Sequence, residues 1–173
     1  MDVRSAIGHL RAIRSFADRP LAEDDLTAIL EAGRRAGSSK NTQRREFVVV
    51  RDRARLEELS RIGAHAGHLA GAAAAIAIVT PDPRAEGASL SLVFDVGLAA
   101  ENMMLAAWER GVGACPVTVY HQAMSRRILG YPPDRHCSYV LSMGYPADAA
   151  GLDRPNRRGG RRRLEDIVHL EHW

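Results

Sequence analysis

From Leu90 to Trp108 the chain reads as one helix that is apolar nearly all round, with Gly111 just past its end as a stop signal. Such a helix has to be covered on most sides, so the remaining elements must wrap it. Periodicity identifies them. Val3, Ile7 and Leu10 mark a first helix with Asp2 as its cap, and Leu26, Ile29 and Leu30 mark a second that ends at Gly37. Asp52 caps a third carrying Leu56, Leu59 and Ile62, and Gln122 to Leu129 forms another. Phe47 to Val50, Ala74 to Thr80, Val117 to Val119 and Tyr139 to Met143 read as strands, the second stopped by Pro81 and Pro83. Strands scattered among helices at irregular intervals predict an α+β fold. No strand is followed by Gly-x-Gly-x-x-Gly opening a helix, which argues against a doubly wound dinucleotide-binding sheet.

With 173 residues and 46% hydrophobic content, the chain can bury one sizeable core. A single domain over 1–173 is expected, without tandem repeats or an interdomain linker. Ala149 to Gly160, with Pro155 and two glycines, is the segment most suited to letting a C-terminal arm (149–173) travel away from its own core. Cys115 and Cys137 are too few for a disulfide framework, so a reducing compartment is the default. Asp2 and Arg4 interrupt the N-terminus before an apolar targeting core could form, and the run Ala72 to Val79 is far short of the ~20 residues a membrane helix needs. The expectation is a cytoplasmic protein with no membrane partner.

Three segments carry candidate chemistry. Arg11-Ala12-Ile13-Arg14-Ser15-Phe16 holds two guanidinium groups where the first helix gives way to a turn, and arginine's planar fork matches a phosphate bidentately. Ala36 to Gln43 strings hydroxyls and amides together, a surface that can read a polyhydroxyl chain or a heterocycle edge. Arg157-Arg158-Gly159-Gly160-Arg161-Arg162-Arg163 is a cationic run split by a diglycine. Taken singly, these are also a solvated helix end, a surface loop and a solubilising tail. His65 and His68, like His169 and His172, lie at i, i+3 without a third ligand at recognisable spacing, so no metal site is expected. The C-terminal arginines could also form a phosphate stripe, but few aromatics accompany them and no nucleic-acid partner is expected.

In this order and spacing the segments resemble the FMN-dependent nitroreductase family, from about Arg11 to Trp173. Arg11, Arg14 and Phe16 fall on the second arginine, third arginine and phenylalanine of the family's opening motif, while Leu10 and Ala12 depart from it. Ala36, Ser38, Asn41 and Gln43 match the family's polar loop, with Gly37, Arg44 and Arg45 in place of its prolines and tryptophan. Asp95 to Ala107 is similar to the family's long central helix, and Gly111 to Pro116 to the turn that brings backbone to the flavin. Leu129-Gly130-Tyr131-Pro132, Met143-Gly144-Tyr145-Pro146 and the stretch Arg161 to His169 complete the order.

The resemblance implies a mixed, mainly antiparallel sheet flanked by helices, and an intertwined homodimer that exchanges C-terminal arms and carries two sites at its interface. FMN would be the cofactor and NAD(P)H the electron donor, with ping-pong transfer to a small electron-poor acceptor such as a nitroaromatic or a quinone. Arg11, Arg161 and Arg162 would hold the phosphate. Arg14 would sit at the N1 and C2-carbonyl edge, where negative charge develops on reduction. Ser38, Ser39 and Asn41, from the opposite subunit, and Gln43 would contact the flavin. Pro116, Val117, Thr118 and Val119 would line it, the N–H groups of Thr118 and Val119 approaching N5, and Thr118 would orient water or acceptor. Arg14 and Thr118 are thus the residues placed closest to the chemistry. A flavin-holding protein without turnover would need the same contacts.

Overall fold

Strands β1 (Glu46–Val50), β2 (Ala74–Pro81), β3 (Gly113–Thr118) and β4 (Arg135–Gly144) form one sheet in the order β1-β2-β4-β3, with every pairing antiparallel. The structure is a computed structural model describing residues 3–153 and 160–173. Helices α1 (Val3–His9), α2 (Glu23–Arg34), α3 (Arg53–Leu59), α4 (Ser91–Glu109) and α5 (Gln122–Leu129) complete the fold, with short 3-10 turns at Ser39–Asn41, Gly67–Gly71, Ala149–Leu152 and Leu164–Asp166. The expected α+β class is the one observed. The only parallel contact among the described residues is the bridge between Ala12 and Ala114, outside the four strands.

The run Ala74 to Thr80 lacks polar alternation because β2 is central and covered on both faces. Successive side chains of a strand point to opposite faces. Ile76 and Ile78 therefore join α2 and α4 in a core with Leu26, Ile29, Val96, Met103, Leu141 and Met143. Ala75, Ala77 and Val79 turn to the other face, against Leu56, Leu59 and Ile62 of the α3 region and Ile128 of α5. The two helices of the first layer approach closely at Gly33, where a Cβ would lie 2.0 Å from Met103 Cε. The register shifts between Ile78 and Val79, whose partners are Tyr139 and Cys137, leaving Ser138 as the extra residue of a bulge in β4.

The third helix begins as expected, with the Asp52 carboxylate accepting from the Arg55 N–H at 2.9 Å. Asp2 lies outside the described residues. Three expectations need correction. Helix α2 stops at Arg34 rather than Gly37, because Arg45 reaches back to its end. The Arg45 guanidinium donates to the carbonyls of Gly33 (3.3 Å), Arg34 (3.3 Å) and Gly37 (3.2 Å), and to that of Ala36, so no left-handed glycine is required there. Helix α4 is buried along one face only, through Leu92, Asp95, Val96, Ala99, Met103, Met104 and Ala107. Leu90 and Phe94 stay 93% and 67% exposed, because α2 and the sheet cover a single side. Finally, β3 and β4 begin well before the runs that marked them, since pairing continues through Gly113–Pro116 and Arg135–Cys137. No described helix is long and apolar enough to cross a membrane.

Candidate active site

The segment after α1 docks on the outer side of β3. Ile13 N–H donates to Ala114 O at 2.9 Å, Ala17 N–H to Tyr145 O at 2.8 Å, and Ala147 N–H to Ser15 O at 3.0 Å. Two glycines make room for it. A Cβ on Gly113 would lie 2.6 Å from Ile13 Cγ2, and one on Gly144 would lie 2.9 Å from Phe16 Cδ1. Held at both ends, Arg14 borders a cavity of about 220 Å³ whose other walls are His65, His68, Pro116, Val117, Thr118 and Tyr120. A more open hollow of about 520 Å³ is bordered by Arg14, His65, Gly67 and His68. On its other side Arg14 borders a recess of about 190 Å³ with Ala12, Ser15, Asp148 and Gly151 among its walls.

Backbone polarity at this edge follows from the ladder. Val119 N–H donates to Ser138 O at 3.0 Å, so it is spent within the sheet and unavailable to a ligand. Antiparallel pairs alternate between bonded and non-bonded positions, so Thr118 N–H points away from β4. Pro116 occupies an equivalent outward position, where its missing N–H leaves no ladder bond unmade. Gly63 accommodates the outward Thr118 carbonyl, since a Cβ there would sit 2.6 Å from that oxygen.

The histidines arrive through the connection between α3 and β2. Ile62 O accepts from both Tyr120 N–H and His121 N–H at 3.0 Å, pinning that connection beside the end of β3. His68 Nδ1 then lies 2.9 Å from the buried Ser142 Oγ, and Ser142 Oγ lies 3.3 Å from Cys115 O. Burial, and next the Arg14 charge, hold the His68 pKa below its ordinary 6.5. Burial pushes the Cys115 thiol up while neighbouring Arg14 opposes that rise. His65, His68 and Tyr120 were not among the expected site residues. The two histidines stood out in the sequence only as a sparse metal pair.

The remaining expected residues lie elsewhere on this chain. Arg11 is half-buried and donates through Nε to His9 O at 3.3 Å, while its Nη2 is buried with no partner. Ser38 to Gln43 forms a loop beside α4 in which Lys40, Asn41 and Gln43 adopt φ of 51°, 53° and 50°. Three non-glycine residues in left-handed conformations need compensation. The Asp95 carboxylate supplies part of it by accepting Ser39 N–H at 3.1 Å, and Ser38 Oγ accepts Gln43 N–H at 3.0 Å. Gln43 Nε2 donates to Asn41 Oδ1 at 3.0 Å. Arg161 and Arg162 are exposed on the C-terminal segment, Arg162 turning to Asp166 O. Arg157 and Arg158 lie outside the described residues. None of Arg11, Ser38, Ser39, Asn41, Gln43, Arg161 or Arg162 borders the Arg14 cavity.

Comparison with known proteins finds the profile described as Nitroreductase family matching residues 8–69 and 63–145. A protein of Archaeoglobus fulgidus named as an NADH dehydrogenase or NAD(P)H nitroreductase is 33% identical over 168 residues, which is 94% of each chain. The solved structure of an FMN-dependent nitroreductase from Clostridium difficile is 25% identical, with a TM-score of 0.81 over 96% of this chain and 99% of that one. The NADPH:FMN oxidoreductase of Vibrio harveyi, solved with NAD+, shares the fold with a TM-score of 0.85 at 22% identity, over 98% of this chain and 77% of the other.

Proposed function

The chain belongs to the nitroreductase family, and from that premise we propose that it is an NAD(P)H-dependent flavin oxidoreductase that holds FMN against the outer edge of β3. The observation that carries this reading is the convergence of the Arg14 guanidinium and the outward Thr118 N–H on one cavity. The residues present fit the cofactor. Arg11 keeps a buried guanidinium nitrogen without a partner, a vacancy that a phosphate oxygen satisfies. Arg161 and Arg162 add charge from the C-terminal segment, and two or three guanidinium groups can neutralise a phosphate dianion.

The flavin supplies the hydride chemistry, and the protein positions and tunes it. Arg14 would hold a fixed cation beside the bound flavin, where it would favour the negative charge of the reduced state. Thr118 N–H, free of the ladder, would be a donor to the bound flavin, and Thr118 Oγ1 would orient water or acceptor. Among the described residues, the walls of the cavity include no carboxylate, so Arg14 and backbone donors carry the electrostatics. NAD(P)H and an electron-poor acceptor, a nitroaromatic or a quinone, use this one site in turn, which is ping-pong transfer.

A homodimer is part of the proposal. Ser38, Ser39 and Asn41 are held in shape by Asp95 yet lie away from their own chain's cavity, which supports a contact with the partner's flavin. Val3, Ile7, Leu90, Val93 and Phe94 leave apolar surface uncovered, and so do Leu164, Ile167, Leu170 and Trp173 on the terminal segment. Those two surfaces are what an exchanged arm and a two-fold interface would bury. The purified protein is expected to be yellow, to release FMN on denaturation, and to bleach anaerobically with NAD(P)H until a nitroaromatic or quinone restores its colour. A spectrum without flavin bands after reconstitution with FMN rules the reading out. FMN binding without bleaching leaves only a flavin-holding protein.

A further inference from the structure

His68 occupies a position that simple cavity filling does not explain. The Ser142 hydroxyl has one hydrogen and two close polar neighbours, Cys115 O at 3.3 Å and His68 Nδ1 at 2.9 Å. Both contacts are hydrogen bonds only if Ser142 donates to the carbonyl and accepts from an Nδ1–H. That assignment leaves Nε2 as the unprotonated nitrogen of a neutral imidazole whose ring borders the same cavity as Arg14. Protonation at Nε2 would need no rearrangement, because the Nδ1–H bond to Ser142 is the same in both states.

We propose that His68 is a redox-linked proton acceptor: when the flavin beside Arg14 is reduced, Nε2 takes up one proton. The inference rests on the FMN reading above. Hydride transfer from the nicotinamide brings two electrons and one proton, and it leaves the site one negative charge richer. The second proton comes from solvent and resides on Nε2. When hydride passes to a quinone, that proton follows, so the acceptor leaves with two electrons and two protons. His68 returns to its neutral form.

The groups around His68 give the coupling its sign. Arg14 faces it from the docked N-terminal segment, Tyr120 from the residues after β3 and His65 from its own loop, while the Cys115 thiol of β3 lies beside Arg14. Burial, and next the Arg14 charge, favour the neutral form of His68 before reduction, and burial favours the protonated Cys115 thiol. The negative charge that reduction would bring to this cavity offsets the repulsion from Arg14 and draws a proton to Nε2, which the Nδ1–H bond to Ser142 leaves free to accept it.

The test is the midpoint potential of the FMN-loaded protein as a function of pH, in wild type, His68→Gln and His65→Gln. Wild type should take up one proton more per electron pair than His68→Gln across neutral pH. That is a further tenfold in the reduction equilibrium per pH unit, or about 30 mV for a two-electron couple. His65→Gln should keep the wild-type slope. Parallel slopes in wild type and His68→Gln, both with FMN bound, overturn the inference and leave the FMN reading intact, whereas failure of wild type to bind FMN removes both. If His68→Gln does not fold, nitrogen NMR of histidine-labelled wild type decides. His68 should change from a neutral Nδ1–H ring to a doubly protonated one on reduction, and a ring that stays neutral refutes the assignment.

Discussion

Replacing Arg14 with alanine tests the electrostatic core of the proposal. The guanidinium is held beside the cavity by the Ile13–Ala114 hydrogen bond, so the substitution removes charge while the backbone on either side stays docked. A hydrogen bond to a charged acceptor contributes about 1.5 to 3 kcal/mol. For a two-electron couple 30 mV corresponds to about 1.4 kcal/mol, so the midpoint potential should fall by roughly 30 to 65 mV. Reduction by NAD(P)H should slow correspondingly, and FMN affinity should change less, since the phosphate is assigned to other arginines.

His68 modulates the size of the effect with pH. Removing Arg14 removes a cation that depresses the His68 pKa, so that pKa rises. Below its new value the imidazolium replaces part of the lost charge. The deficit in potential is therefore largest on the alkaline side and smaller in mild acid. Arg14→Lys keeps the charge without the planar fork and should retain most of the potential. Spectroelectrochemical titration on both sides of neutrality measures all of this. An unchanged potential in an Arg14→Ala protein that still carries stoichiometric FMN would show that Arg14 serves the fold or the phosphate instead.

Truncation after Ala150 removes Arg161, Arg162 and the apolar terminal segment together, so FMN binding and dimerisation should disappear in one step. Analytical ultracentrifugation with flavin titration checks it, and a truncated dimer with native affinity refutes the exchanged arm. Asp95→Ala deprives the Ser39 N–H of its acceptor and should speed amide exchange at Ser39 while weakening FMN binding roughly tenfold; protection equal to wild type would mean the loop holds itself. Tyr145 donates to Asp25 at 2.6 Å and, with Arg110, holds that carboxyl below its ordinary 3.8. A depressed carboxylate pKa stabilises the fold above the unfolded value and loses that contribution as pH falls through the folded one. Tyr145→Phe should therefore cost about 1.5 kcal/mol near neutrality, with the gap to wild type closing below about 3.8 in chemical denaturation series, and a pH-independent gap would contradict this.

The sequence exposed those parts of the fold that local pattern controls. β1 and β2 were legible because unbroken β-branched and small apolar runs suit strands that pack toward both faces of the sheet, β2 almost fully buried and β1 partly so at the edge. The start of β3 was not, because Gly113 and Pro116 look like turn residues. Only the sheet edge explains them, since Gly113 admits Ile13 and Pro116 stands where no ladder N–H is needed. The end of α2 was misplaced for a related reason, as its carbonyls are taken by Arg45 from beyond the helix. Helix α4 looked enclosed because the side its own chain leaves bare is also apolar, so its pattern does not separate core from uncovered surface.

In the candidate site, Arg14, Pro116, Val117 and Thr118 were anticipated and share one cavity. Val119 was placed there too, but its N–H belongs to the ladder, a detail decided by register rather than residue type. His68 was weighed only as a metal ligand. Its hydrogen-bond partner, Ser142, is 74 residues away in sequence, beyond the reach of any local pattern.

The docked N-terminal segment also sets a schedule. Arg14 is synthesised well before Ala114 and Tyr145, which fix the backbone on either side of it and lie far along the chain from it. Contacts so distant along the chain must overcome the entropy of closing a long loop, so they form late in folding. Until β3 and β4 have been synthesised and paired, the guanidinium has no cavity to border. Cofactor capture then marks the end of maturation, and a stalled or clipped chain lacking its last strand would stay colourless however well its first helices had formed.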